Sequence, residues 1–179
     1  MPGGGAVFLD RDGVINRSVV RDGKPYPPDS LDKVEIIPGA AKSLIRLSDA
    51  GYLLIGVTNQ PDVAKGTQTR DVVEAINSHI QSILPVKAIF TCYHDDQDNC
   101  PCRKPKPGLI LEAAKIHGVN LATSWMVGDR WKDVAAGQAA GVRTVFVDYG
   151  YTENYQALPA DFVIKDMLDL ADVILNSDI

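Results

Sequence analysis

Short apolar runs separated by longer amphipathic stretches constrain this chain more than any other feature. Ala6-Val7-Phe8-Leu9, Tyr52 to Val57, Ala88 to Thr91, Ser124 to Val127 and Thr144 to Val147 read as buried strands. Between them, residues 39–50, 70–83, 107–117 and 131–140 read as helices, and a last strand near Asp161 to Ile164 with a helix over 166–176 completes the series. Such alternation predicts an α/β fold, a doubly wound parallel sheet of Rossmann-like type with helices on both faces. A length of 179 residues with 45% hydrophobic content suits a single domain over 1–179.

Two segments break the rhythm, Asn16 to Glu35, rich in Pro, Gly and charge, and Tyr93 to Lys106. Both read as insertions, with no large cap domain between the strands. In an open parallel sheet the loops leaving the carboxyl ends of the strands carry the chemistry. Gly3 to Gly5 reads as a frayed end. No run reaches the roughly 18 to 20 apolar residues that cross a bilayer, and the start lacks a secretory pattern, so a cytoplasmic protein without membrane contact is expected. The formal charge of −5 and the scattered basic residues speak against nucleic acid. A monomer is the default expectation.

Phe8-Leu9-Asp10-Arg11-Asp12-Gly13 puts two acids where the first apolar run stops, with a glycine for a sharp turn. A second acidic group, Gly128-Asp129-Arg130-Trp131-Lys132-Asp133, follows the fourth run, so Asp129 reaches the same end of the sheet. A carboxylate that attacks a phosphate ester meets repulsion on the order of 4 kcal/mol per pair of unit charges at about 4 Å and an effective dielectric near 20. A cation must offset it, and oxygen-rich sites suit magnesium.

The cysteines, Cys92, Cys100 and Cys102, are three in number and clustered, which argues against a secreted disulfide framework. With His94 they supply three thiolates and an imidazole, the complement of a closed, structural zinc site. The intervening Asp95-Asp96-Gln97-Asp98-Asn99 has no core of its own, so a metal crosslink would stiffen it and steady the basic Arg103-Lys104 that follows. Lys106 reads as a solvated charge, and His79 and His117 as surface or packing residues. Trp125 and Trp131 are expected to pack around the fourth strand and its helix.

Asp10-Arg11-Asp12-Gly13, Thr58-Asn59-Gln60, Arg103-Lys104-Pro105 and Gly128-Asp129 together resemble the successive motifs of the haloacid dehalogenase superfamily of phosphatases, over residues 6–148. The resemblance implies magnesium-dependent hydrolysis of a phosphate ester. Asp10 would be nucleophile and metal ligand. Asp12 would be general acid and base, its carbonyl on the metal, and Asp129 the remaining protein ligand. Thr58 and Lys104 would bind the phosphate, with Asn59 beside them, and Arg103 would recognise a further anionic group of the substrate. Asp133 would orient metal-bound waters or cap its helix.

Within the superfamily, a zinc loop joined to Cys-Arg-Lys-Pro is similar to that of two enzyme groups, heptose-bisphosphate phosphatases and histidinol-phosphate phosphatases. Val63-Ala64-Lys65-Gly66 resembles the Ile-Ala-Arg-Gly of the first group, which implies a small sugar phosphate substrate. Two features depart from it: Pro61-Asp62 stands where a Ser-Gly pair is common, and the loop Arg17 to Glu35 matches neither group. A zinc-stabilised binding module with idle acids is the alternative of another class. A phosphotransferase would call for a Gly-rich loop ending in Lys-Ser/Thr, and the sequence holds none.

Overall fold

Val7 and Leu9 of the first apolar run face one hydrophobic layer, while Ala6 and Phe8 face another, and all four are fully buried. Side chains alternate across a strand, so a run that is apolar at every position is a strand covered on both sides. The computed structural model, which describes residues 4–154 and 159–177, builds the chain around it. In order come β1 (Ala6–Leu9), β2 (Val19–Arg21), β3 (Lys24–Tyr26), α1 (Ala40–Asp49), β4 (Leu53–Asn59), α2 (Arg70–Ile83) and β5 (Ala88–Cys92). Then follow α3 (Gly108–His117), β6 (Trp125–Gly128), α4 (Trp131–Ala140), β7 (Arg143–Val147), β8 (Phe162–Ile164) and α5 (Leu170–Asn176).

Six strands form one parallel sheet in the order β5-β4-β1-β6-β7-β8. The chain winds outward from β1 to β4 and β5, then crosses back to β6, β7 and β8. Leu44 and Leu47 of α1, Ile76 and Ile80 of α2 and Leu170 and Ile174 of α5 belong to one layer. Ile110 and Ala113 of α3 and Ala136 of α4 belong to the other. The expected doubly wound sheet is therefore present. The switch in winding falls between β1 and β6, where connections leave in opposite directions and open a crevice at the carboxyl edge.

Several boundaries differ from the expectation. The strand read as Tyr52 to Val57 runs over Leu53–Asn59, so Thr58 and Asn59 lie in β4 itself, paired with Thr91 and Cys92. The insertion Asn16 to Glu35 holds a two-stranded antiparallel ribbon, β2 with β3, exposed along most of its length. Its few residues bury too little to show in the apolar pattern. Gly3 lies outside the described residues, and Gly5 is not frayed, since a Cβ there would stand 2.0 Å from the Thr123 carbonyl oxygen. Among the described residues, no helix is long and apolar enough to cross a membrane, and the insertions add no large cap.

Candidate active site

Asp10 follows β1 directly, and its backbone N–H still donates to Val127 O at 3.0 Å. The nucleophile expected from the sequence is thus fixed to the sheet by its main chain. Asp129 follows β6 in the same way, and Asp133 comes from the first turn of α4. Each of the three offers a carboxylate oxygen within 4.8 Å of the other two, and all three side chains are buried. Asp133 also caps its own helix by accepting from Arg130 N at 3.1 Å. Gly128 lets that turn approach, since a Cβ there would stand 2.0 Å from Asp133 Cβ.

Lys104 reaches into this cluster from the second insertion. Its ammonium lies 2.8 Å from Asp10 Oδ1, 2.7 Å from Asp133 Oδ1 and 2.8 Å from Val57 O. All three of its protons are thereby engaged. Burial alone would depress its pKa, but Asp10 and Asp133 outweigh that and raise it above the ordinary range. One ammonium against three buried carboxylates leaves the cluster short of positive charge. Burial first, and then the charge of Asp133, push Asp10 up to about 7, with Lys104 pulling the other way. Burial, Asp10 and Asp133 likewise hold Asp129 well above the carboxylate range.

Neither buried oxygen of Asp129 has a well-formed hydrogen bond, and the neighbouring Tyr151 hydroxyl is placed to interact with it. Orphaned carboxylate oxygens cost free energy that a bound cation would offset. Gly13 has a φ of +93°, and a Cβ there would fall 1.9 Å from Asp129 Oδ2. The donors are all hard oxygens, a set that fits magnesium.

Asp12 stands apart from this cluster. Its Oδ2 accepts from Gln60 Nε2 at 2.8 Å and its Oδ1 from Asn16 Nδ2 at 2.9 Å. Gln60 Nε2 also donates to Thr58 Oγ1 at 2.9 Å, which leaves the threonine hydroxyl proton for another acceptor. Asn59 does something the sequence did not suggest. Its amide accepts from Lys104 N and donates to Lys104 O, both at 3.0 Å, and so fixes the backbone that carries the buried lysine.

Above the carboxylates lies a cavity of about 400 Å³. Lys24, Lys65, Arg103, Arg130 and Lys132 line it, against Asp12, Asp62 and Asp96 outside the carboxylate floor. Arg103 Nε donates to Asp96 Oδ1 at 2.6 Å, and Arg130 is paired with Glu153. Burial, with Arg103 and Arg130 nearby, lowers the pKa of Lys132. Neither Arg130 nor Lys132 was singled out from the sequence, where each looks like an ordinary polar position at the start of a helix.

The three cysteines and His94 also converge. Cys92 Sγ is 3.0 Å from Cys102 Sγ and 3.6 Å from Cys100 Sγ, and Cys100 and Cys102 are 3.4 Å apart. His94 Nδ1 lies 3.5 Å from Cys92 Sγ and 3.3 Å from Cys102 Sγ. Tetrahedral zinc–thiolate bonds of about 2.3 Å imply sulfur separations near 3.8 Å, so slight expansion accommodates the ion. Against burial, hydrogen bonding from Cys102 and from the Arg103 backbone brings Cys100 down to about 7, while burial pushes Cys92 and Cys102 up, so that without an ion the three sulfurs do not all carry charge. Lys106 is exposed, as expected of a solvated charge, and it also ties its own loop. It donates to Asn99 Oδ1 at 2.7 Å and to Cys100 O at 3.1 Å, closing the same loop. His117 packs edge-on against Phe90, and Trp125 is fully buried on β6, both as expected.

A HAD-hydrolase-like family model matches residues 101–170. The D-glycero-β-D-manno-heptose-1,7-bisphosphate 7-phosphatase of Pseudomonas aeruginosa is 36% identical over 80% of this chain and 81% of its own length. The enzyme of the same name from Helicobacter pylori is 34% identical over 92% of this chain and 96% of its own. Among solved structures, a D,D-heptose 1,7-bisphosphate phosphatase from B. bronchiseptica, complexed with magnesium and phosphate, superposes with a TM-score of 0.82. It shares 30% identity over 97% of this chain and 99% of that one.

Proposed function

This chain belongs to the haloacid-dehalogenase-like phosphatases, and from that premise we propose that it removes the 7-phosphate of D-glycero-D-manno-heptose 1,7-bisphosphate. The observation that carries the choice of substrate is the charge of the cavity: five cationic side chains, besides Lys104, face three acids, Asp12, Asp62 and Asp96, beyond the carboxylate floor. A bisphosphate brings a second phosphate to such a surface. Histidinol phosphate brings an ammonium group that the same cations repel.

In this reading a carboxylate oxygen of Asp10 attacks phosphorus, and the bond from phosphorus to the sugar oxygen breaks as Asp12 protonates that oxygen. Asp12 then takes a proton from water, which attacks the aspartyl-phosphate and returns Asp10 as a carboxylate with release of phosphate. Lys104, already beside Asp10, offers its charge to the transferring group, and the Thr58 hydroxyl donates to a phosphate oxygen. Asp10, Asp129 and the Asp12 carbonyl would hold magnesium, with Asp133 orienting its waters. When bound, the ion offsets the excess negative charge and stabilises charge on the transferring oxygens. Arg103, aimed by Asp96, suits the second phosphate. Cys92, His94, Cys100 and Cys102 would hold a structural zinc ion that keeps Arg103 and Lys104 in place. A cytoplasmic, monomeric enzyme accompanies this reading.

The test is kcat/KM for heptose 1,7-bisphosphate against histidinol phosphate in magnesium buffer, with the Asp10→Asn protein as control. A preference for the bisphosphate of tenfold or more, about 1.4 kcal/mol, supports the assignment. Preference for histidinol phosphate moves the substrate and leaves the chemistry standing. Release that persists in Asp10→Asn removes Asp10 as nucleophile.

A further inference from the structure

Arg11 is among the largest side chains in the protein with no solvent exposure at all. Its position between the two motif acids gives no reason for this, because a buried guanidinium is costly unless its donors are all met. The structure meets them in a specific way. Arg11 Nη2 lies 3.2 Å from both Asp12 oxygens, and its Nε lies 3.3 Å from Asp12 Oδ1. On its other side, Arg11 Nη1 donates to Asn77 Oδ1 at 2.9 Å. Asn77 is itself a buried polar residue, on α2, and its Nδ2 donates to Thr91 Oγ1 of β5 at 3.1 Å.

A continuous set of hydrogen bonds thus runs from β5 through α2 to the Asp12 carboxylate. From the opposite side Gln60, also buried, gives its amide N–H to Asp12 Oδ2, and Asn16 gives its own to Oδ1. Each oxygen of Asp12 is therefore gripped by at least two donors approaching from different elements. A carboxylate on an ordinary turn would sample several rotamers. This one cannot swing toward Lys104 or the Asp10 cluster without breaking bonds on both sides.

We propose that Arg11, braced by Asn77, and Gln60 are positioning residues that aim the Asp12 carboxylate at the leaving oxygen. The proposal rests on the reading of Asp12 as the general acid. It assigns a reason for polar residues at three core positions that neither bind phosphate nor hold metal. Alkyl phosphates depend on proton donation far more than esters of acidic phenols, since a p-nitrophenolate departs without it. Loss of aim therefore penalises one ester class and spares the other, whereas general loosening of the fold penalises both.

The experiment compares kcat/KM, which covers all steps through departure of the leaving group, for a sugar phosphate and for p-nitrophenyl phosphate. Asn77→Leu is expected to lower the sugar phosphate value about tenfold and the p-nitrophenyl phosphate value less than about threefold. Asn77→Asp keeps an oxygen acceptor for Arg11 and is expected to restore most of that ratio. Gln60→Met also removes the bond to Thr58 Oγ1, so both values should fall, with the sugar phosphate value falling several-fold further; the test thus stands even where Asn77→Leu fails to fold in a thermal melt. An equal fall for both esters, or no fall, overturns the proposal. Asp12→Asn serves as the reference: if it shows no discrimination between the esters, the reading of Asp12 as the acid falls, and the positioning role with it. If it discriminates while the Asn77 and Gln60 variants do not, only the positioning role falls.

Discussion

The carboxylate floor and the cysteine loop each gather side chains that could hold a metal ion, yet they are shaped by different forces. Asp10, Asp129 and Asp133 stand at the ends of β1 and β6 and on the first turn of α4, elements pinned by a core that is packed on both faces of the sheet. Their convergence is a consequence of packing, and it persists in spite of mutual repulsion. In the cysteine loop Cys92, the last residue of β5, belongs to the core, Cys100 and Cys102 are half-buried against it, and His94 is exposed. The stretch that carries His94, Cys100 and Cys102 is otherwise polar and buries less than the floor, so a shared ion would add more to its stability than to that of the floor. The floor is a site made by the fold, and the loop is a piece of fold that a metal ion would stiffen. Lys104 joins the two, since its backbone belongs to the loop and its ammonium to the floor.

The sharpest way to break this comparison is Asp10→Asn. Phosphate release should fall by about 10⁴-fold or more, while the melting temperature should not fall, because one charge leaves a cluster already short of cations. A large loss of stability would mean that the floor is not held by packing alone. Next in size is Gly13→Ala, whose methyl would enter the space of Asp129 Oδ2 and require a positive φ. Magnesium titration of activity should show an affinity weaker by about 100-fold, with the zinc content unchanged.

Cys102→Ser addresses the other region. Melting should drop by roughly 5–10 °C, the scale of a few kcal/mol in a protein of this size, and activity about tenfold as Lys104 loses its support. Dialysis into magnesium-free buffer should instead abolish activity and leave melting almost unmoved; parallel losses in both treatments would erase the distinction. The smallest expected effect is on pH dependence. Asp10 rises from an ordinary 3.8 to about 7, so between those values the folded magnesium-free protein holds a proton that the unfolded chain has released. Its stability should therefore fall as pH rises from about 4 to 7, a slope that scanning calorimetry reads and that added magnesium should flatten.

What could be read from the sequence is local. The apolar runs, the two acids of Asp10-Arg11-Asp12-Gly13, the second acidic group at Asp129 and the cysteine cluster each declare themselves within a few neighbours. The parallel sheet follows from their alternation, because a strand buried on both faces leaves a periodicity that no loop imitates. The ribbon β2–β3 left no such trace, since it buries almost nothing.

The sequence by itself therefore determined the fold class and offered the candidates for the nucleophile and for both sets of metal donors. Tertiary structure alone decided how these are held. Lys104 meets Asp10 across 94 residues, Arg11 meets Asn77 across 66 and Gln60 meets Asp12 across 48. Polar residues such as Asn77 and Gln60 look like surface positions along the chain. They become buried partners only because β1, β4 and β5 lie side by side in one sheet and end at the same edge. Which side chains meet there depends on strand order and register, and those are settled by the packing of all the elements together rather than by any segment's own composition.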